Sequence, residues 1–218
     1  MTTTTFFSPQ ELERIEKAVQ KAETEISGEI VPVFVAQSDE YEIANLRSGL
    51  TFSISSAVIW LILYEFSKLW EMNWFYAPET LILLMTICFC AGFFLAYFFP
   101  SFRIRFMLAK EIYTAVDKQA ALTFLREDVF NTSQRTGVLI YISLLEHRVE
   151  VLGDTGISAK VTPEEWNRVL EYILKGLKGK DKADGICKAI DATRYLLLEK
   201  GFAIRADDKN ELPDNLRL

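Results

Sequence analysis

The chain of 218 residues has one histidine, His147, and three cysteines, Cys88, Cys90 and Cys187. A histidine-dependent nucleophilic triad or a His-rich metal site would have to use His147. Its place between Glu146 and Arg148 reads as a hairpin turn, where a solvated residue is expected. Cys88 and Cys90 are separated by a single residue inside an apolar run, and Cys187 falls in an expected helix. That spacing suits neither a metal nor a disulfide framework, and it fits a reducing compartment. The chain has no GxGxxG, no GxxxxGK[ST], no HExxH and no paired CxxC. The formal net charge of −6 leaves no bulk positive footprint, so nucleic acid is not an expected partner. Met1 to Ser8 is Thr-rich and uncharged, and no apolar stretch follows it, so no signal peptide is expected there.

What the chain has in abundance is apolar length. Two runs, Ser48 to Tyr64 and Thr80 to Phe99, contain no charged residue. Each is about a bilayer's worth of helix. The second, TLILLMTICFCAGFFLAYFF, has no polar face to offer water. Ser53, Ser55 and Ser56 make the first less apolar, but serines in a helix back-bond to carbonyls. We expect a transmembrane hairpin over residues 48–99, and hence the lipid bilayer as a partner. The connector Glu65 to Glu79 holds Lys68 against three glutamates, whereas Arg47, Arg103, Arg105 and Lys110 flank the outer ends. The positive-inside rule then places both termini on the cytoplasmic side of a two-span protein. Trp70, Trp74, Phe75 and Tyr76 in the connector read as an interfacial aromatic belt.

The remaining residues, about 165, amount to one domain's worth, and their order reads helix, strand, membrane hairpin, helix, strand, strand, helix, helix. Ser8-Pro9-Gln10-Glu11 is a capping box with Pro at the first helical position. Leu12, Ile15, Val19, Ala22 and Ile26 follow at helical spacing, and Gly28 is the expected stop. Ile30 to Ala36 reads as a strand, lying at an edge or bulged because Pro32 donates no ladder hydrogen bond. Met107 to Phe130 reads as a long helix that continues straight out of the second span. Val138 to Leu144 is an apolar run suited to a central strand, with Val149 to Leu152 as its hairpin partner. Helices follow from Thr162-Pro163 to Lys175 and from Asp181 to Lys200, and 205–218 reads as a charged, mobile tail. The first strand has no local partner, so residues 1–47 and 100–204 are expected to build one domain across the insertion.

The strongest local signal for chemistry is Gly153-Asp154-Thr155-Gly156, directly after a strand. Its glycines permit a tight turn, and a carboxylate fixed at the end of a sheet suits a hard cation. A plain turn with an Asx hydrogen bond is the commoner use of such a sequence. Glu29, after Ser27-Gly28, joins Asp154 only if the sheet brings those ends together. Thr136, in Arg135-Thr136-Gly137, stands at the start of the central strand.

Three blocks carry a family resemblance: FFSPQELERIEKAVQKAETEISGEI, then RTGVLIYISLLEHRVEVLGDTGI, then VTPEEWNRVLEYIL with its closing helix. From Phe6 through Phe202, omitting the hairpin, the chain resembles the TPM-domain family. That family is named for a thylakoid lumen protein, a photosystem II repair protein and a nematode modulator of acetylcholine receptors. The resemblance implies an α/β fold, an α/β/α sandwich over a small mixed sheet, here interrupted by a transmembrane helical hairpin. It also implies a divalent cation, calcium or magnesium, with Glu29, Thr136 and Asp154 at the matching positions beside Gly137, Gly153 and Gly156. Many relatives have Asn where this chain has Thr136, and many carry their span outside the domain. Acid-phosphatase activity, membrane-complex repair and receptor modulation all occur in the family. The leading expectation is a non-enzymatic or weakly enzymatic protein that binds a cation and docks on a membrane protein complex. The alternative is a metal-dependent phosphatase at the membrane surface.

Overall fold

The computed structural model describes residues 7–67, 77–178, 181–204 and 211–217. The chain divides into two compact units, 1–39 with 113–218, and 40–112.

In the first unit, α1 spans Pro9–Glu23 behind the expected capping box. The Ser8 hydroxyl accepts the Glu11 N–H at 3.3 Å, and Glu11 accepts the Ser8 N–H at 2.7 Å. Three strands, β1 (Glu29–Val35), β2 (Gly137–Ser143) and β3 (Arg148–Gly153), form one mixed sheet in the order β1-β2-β3. β1 runs parallel to β2, from Glu29 opposite Gly137 to Val35 opposite Ser143. β3 returns antiparallel through a turn in which exposed His147 has φ +52°. The lone first strand thus finds its partner beyond the inserted helical hairpin. Its backbone donors and acceptors need a ladder, and the one available begins a hundred residues later.

Pleating sorts the strands' side chains onto two faces. Ile30, Phe34, Val138, Ile140, Ile142 and Val149 join a core completed by α1, by α7 (Pro163–Lys178) and by α8 (Lys182–Glu199). Val31, Val33, Leu139 and Tyr141 join a second core with Val116 and Ala120 of α5 (Ala109–Arg126) and with Val129. Apolar residues therefore fill both faces of β2, which explains its continuous VLIYI sequence. Pro32 sits on the edge strand, as its missing donor requires.

Part of the segment expected as a mobile tail lies against this edge. The Arg217 N–H donates to the Pro32 carbonyl at 3.1 Å, and the Phe34 N–H donates to the Arg217 carbonyl at 2.8 Å. Leu216 is buried in the first core, and Leu212 packs on the second. The charged composition of 205–218 concealed these two apolar anchors; residues 205–210 lie outside those described.

The second unit is a helical hairpin of α2 (Glu42–Ser67) and α3 (Pro78–Phe98). Close approach is set by small residues. The Ser48 hydroxyl donates to the Gly92 carbonyl at 2.9 Å, and a Cβ on Gly92 would meet Ser48 O and Phe52 at 2.9 Å. The opposite sides of both helices are apolar and exposed, with Ile54, Ile59, Ile82, Leu83, Phe94 and Phe98 all more than half accessible. Glu42–Glu65 and Pro78–Phe98 are long and apolar enough to cross a membrane. The aromatic residues expected as a belt, Trp70 to Tyr76, lie outside the described residues.

The expected continuous helix out of the second span does not form. Phe99 is extended, with φ −120° and ψ +91°, because the residue before a proline is excluded from the helical region. Pro100 then opens the four-residue α4, Pro100–Arg103, and a 3-10 turn, Ile104–Phe106, follows. Extended Met107 precedes α5, which ends at Arg126, four residues before the expected Phe130. In the first turn of α5, Glu111 accepts two hydrogen bonds from Arg47 of α2, at 2.6 and 2.7 Å. That bidentate grip, with the Leu108 N–H, holds the Glu111 carboxyl down to about 2.

Candidate functional site

Parallel pairing of β1 with β2, followed by an antiparallel turn into β3, puts three chain segments at one end of the sheet. Glu29 lies opposite Gly137. Asp154, one residue past β3, donates its N–H to the Gly137 carbonyl at 2.9 Å. By strand parity all three face the side covered by α5. Glu29 and Asp154 are two strands apart, about 10 Å between backbones. Gly137 separates them, and the space over it is taken: a Cβ there would lie 2.0 Å from the Val129 carbonyl oxygen. The main chain of Val129 therefore stands between the two carboxylates, and each has its own partners.

Asp154 is 4% exposed and caps α6, Thr155–Ser158. One carboxylate oxygen accepts the Thr155 N–H at 2.6 Å, and the other lies 3.0 Å from Arg135 Nε. Arg135 has φ +59°, and its guanidinium lies over the Phe130 ring at 5.7 Å. The glycines flanking Asp154 serve this packing. A Cβ at Gly156 would come within 2.6 Å of the Arg135 carbonyl, to which the Gly156 N–H donates at 3.0 Å. Thr136 is buried, and its N–H donates to the Thr132 hydroxyl at 2.9 Å. The C-terminal end of loop 127–136 is thus held to the Gly-Asp-Thr-Gly turn by the Gly156–Arg135 hydrogen bond and the Arg135–Asp154 ion pair.

Glu29 is 7% exposed. One of its oxygens accepts the Glu211 N–H at 2.9 Å, and the other is buried with no hydrogen-bond partner. Burial raises its affinity for a proton. Glu23, at the end of α1, accepts the Ile30 N–H at 2.9 Å. Its carboxyl is pushed up to about 9, first by burial and then by the negative charges of Glu29 and Asp214. Glu23, Glu211, Asp214 and Arg135 carry much of the local electrostatics, and none stands out in the sequence as a site residue. For Arg135 the signal was available: a cation directly before the Thr-Gly that opens a central strand.

Glu29 and Asp154 therefore reach the same end of the sheet without meeting, and Thr136 lies beside the β2 entrance. Among the described residues, no group of three or more His, Cys, Asp and Glu side chains is arranged to hold a metal ion. At Asp154 the nearby positive charge is the guanidinium of Arg135. The other end of the sheet carries a separate polar network. Ser38 donates its N–H to Glu146 at 2.8 Å and its hydroxyl to Ser143 at 2.8 Å, and Ser143 donates to Glu146 at 2.5 Å. This ties the chain after β1 to the hairpin turn.

A mixed α/β domain with a Gly-Asp-Thr-Gly turn after its hairpin, interrupted by two long apolar helices, is the class these observations define. Residues 101–195 match the TPM domain family. The structure of BA42 protein from the psychrophilic bacterium Bizionia argentinensis, solved by NMR, superposes with a TM-score of 0.58 at 18% identity. That alignment covers 97% of this chain and 94% of BA42, and at such identity it speaks for the fold alone. No curated protein matches the chain.

Proposed function

We propose that this is a two-span integral membrane protein whose TPM domain acts by binding, docking on a membrane protein complex from the cytoplasmic side. The observation that carries the reading is the set of exposed apolar side chains on the α2–α3 hairpin, whose buried Ser48–Gly92 hydrogen bond is turned inward and whose exposed Thr51 and Thr86 hydroxyls bond their own helices' carbonyls. An apolar surface of that extent is stable in lipid and costly in water. Arg47, Arg103, Arg105 and Lys110 gather at the ends of the two helices away from the connector, which supports the cytoplasmic orientation. A binding role rather than catalysis is supported by the state of Asp154, whose carboxylate is buried and committed to a helix cap and an ion pair. Reporter fusions at Leu218 and beside Glu71 test the topology: the first is expected on the cytoplasmic side and the second on the opposite one. The reverse pattern would overturn the orientation.

A second reading, divalent-cation binding, is favoured by one observation. Glu29 and Asp154 each keep a buried oxygen that receives no hydrogen bond. An ion at Asp154 would have to displace Arg135, and one at Glu29 would sit apart from it. Calcium or magnesium titration followed by thermal unfolding tests this, with Asp154→Ala and Glu29→Gln as controls. Equal shifts in all three proteins would dismiss these carboxylates as ligands. A phosphatase assay on the same samples addresses metal-dependent hydrolysis, which requires an accessible nucleophile and a charge clamp.

A further inference from the structure

The two edges of the sheet are in different states. On the β1 edge, Arg217 occupies the Pro32 carbonyl and the Phe34 N–H. The other edge is the outer side of β3, and the ladder determines which groups it presents. The Asp154 N–H donates to the Gly137 carbonyl, and the register pairs Leu139 with Leu152, Tyr141 with Glu150 and Ser143 with Arg148. Alternate residues of an antiparallel pair exchange both main-chain bonds, so Arg148, Glu150 and Leu152 turn theirs to β2. Val149, Val151 and Gly153 turn theirs outward. The Gly153 carbonyl accepts the Ser158 hydroxyl at 2.7 Å. Among the described residues, nothing bonds to the outward main chain of Val149 or Val151. Two donors and two acceptors thus stand open in register, the template that an added strand completes.

The side chains beside this template are sorted by the pleat. Val149 and Val151 join the core shared with α7. Arg148, Glu150 and Leu152 point to the α5 side, where Leu152 packs on the second core. Glu150 is the half-buried charge there, its side chain 19% exposed, with Arg148 4.0 Å away. The Arg148 guanidinium lies over the Tyr113 ring at 4.6 Å. Burial raises the proton affinity of Glu150, Arg148 opposes this, and the negative charge of exposed Asp117 on α5 adds to it. An added antiparallel strand places one residue directly opposite Glu150, about 4.5–5.5 Å away at Cβ and on the same face. A lysine or arginine at that position offsets the two carboxylates. Its two neighbours stand opposite Val149 and Val151, on the face where apolar side chains extend the core.

We propose that the outer edge of β3 is the docking surface of this domain, and that it takes as an added strand an extended segment of a partner protein with a lysine or arginine between two apolar residues. The proposal rests on the docking reading above and names its surface and the chemistry of its partner. Main-chain bonds supply attachment, and Glu150 with Asp117 supplies selectivity. A charge carried on an edge strand also discourages pairing with an apolar strand that brings no counter-charge.

Peptide selection on the full chain tests this. The chain in nanodiscs is panned with a phage library displaying random heptapeptides, with empty nanodiscs as reference. Enriched peptides are expected to share the apolar–basic–apolar pattern. Val151→Pro removes an outward donor and leaves the β2 ladder intact, because the Val151 N–H takes no part in it. Capture of the enriched phage is expected to fall about tenfold in that variant, whereas Val151→Ala keeps the donor and retains them. Glu150→Lys is expected to invert the central preference from basic to acidic. Should Val151→Pro fail to fold, the same bonds are removed from the peptide side. Methylating the main-chain nitrogens of the two residues flanking the basic one, in a synthetic copy of an enriched peptide, is expected to cost about tenfold or more in affinity. No enrichment over empty nanodiscs would overturn the proposal, as would binding indifferent to Val151→Pro and to methylation, or a basic preference that survives Glu150→Lys. Dimers of the full chain that Val151→Pro abolishes, in place of any enriched peptide, would give the edge to a second copy and overturn it too. Both faces of a nanodisc are open to phage, so these results bear on the edge alone, and a reversed topology in the reporter fusions bears on orientation alone.

Discussion

Replacing Glu23 with glutamine is expected to stabilise the protein at alkaline pH and to flatten its pH dependence. Glu23 stands at the end of α1 with Glu29 and Asp214 as its charged neighbours, and its carboxyl is held up at about 9 against an ordinary 4.5. Below pH 4.5 the group is protonated in both the folded and unfolded chains, so its full contribution to stability is present. Between 4.5 and about 9 the unfolded chain releases the proton while the folded chain keeps it. Stability therefore falls as pH rises, with a limiting slope of about 1.4 kcal/mol per pH unit for one proton. Carried to pH 8, that slope sets an upper bound of about 5 kcal/mol; relaxation of the site and water entry bring the expected loss nearer 1–3 kcal/mol. Glutamine keeps the oxygen that accepts the Ile30 N–H and supplies an uncharged N–H donor toward Asp214. Urea unfolding in detergent at pH 5, 6.5 and 8, followed by Trp166 fluorescence in a background lacking the hairpin tryptophans, measures the difference. Glu29 and Glu150 are also raised by burial, so a residual slope is expected in the variant. Glu23→Gln with the same pH slope as wild type, or with lower stability at pH 8, would refute the reasoning.

Gly137→Ala should destabilise by about 2 kcal/mol or more in the same unfolding assay, because its Cβ has only 2.0 Å before the Val129 carbonyl and the backbone itself must shift. Asp154→Asn should keep the cap on α6 but lose the ion pair with Arg135, costing about 1–2 kcal/mol, and should increase proteolysis within loop 127–136. The Arg47–Glu111 pair has a lowered carboxyl, so its contribution is present above pH 4.5 and is lost as pH falls toward about 2; Arg47→Ala should remove that acid dependence in a pH-resolved melting series. Replacing residues 46–104 with a short Gly/Ser linker should yield a soluble, cooperatively melting domain, whereas a chain beginning after Phe102 should lose β1 and aggregate; equal stability of the two would contradict a sheet shared across the insertion.

Much of this architecture is written locally in the chain. The capping box at Ser8, the proline-marked edge strand, the apolar central strand and the two uncharged runs each follow from a periodicity or a local steric rule, and such rules operate without knowledge of distant residues. The break after Phe99 belongs with them, because Pro100 excludes a continuous helix and was legible in the sequence although the apolar period there concealed it. What the sequence alone could not decide was the meeting of residues far apart. Glu29 and Asp154 do arrive at the same end of the sheet, but parallel and antiparallel registers, not spacing, determine that they flank Gly137. The main chain of Val129 then fills the gap between them. Likewise, Leu212 and Leu216 are two apolar residues in a charged stretch until the edge of β1 gives them cores to enter. Burial and pairing are properties of the folded neighbourhood: the proton affinity of Glu23 and the engagement of Asp154 by Arg135 came into being only when tertiary structure brought those groups together and excluded water.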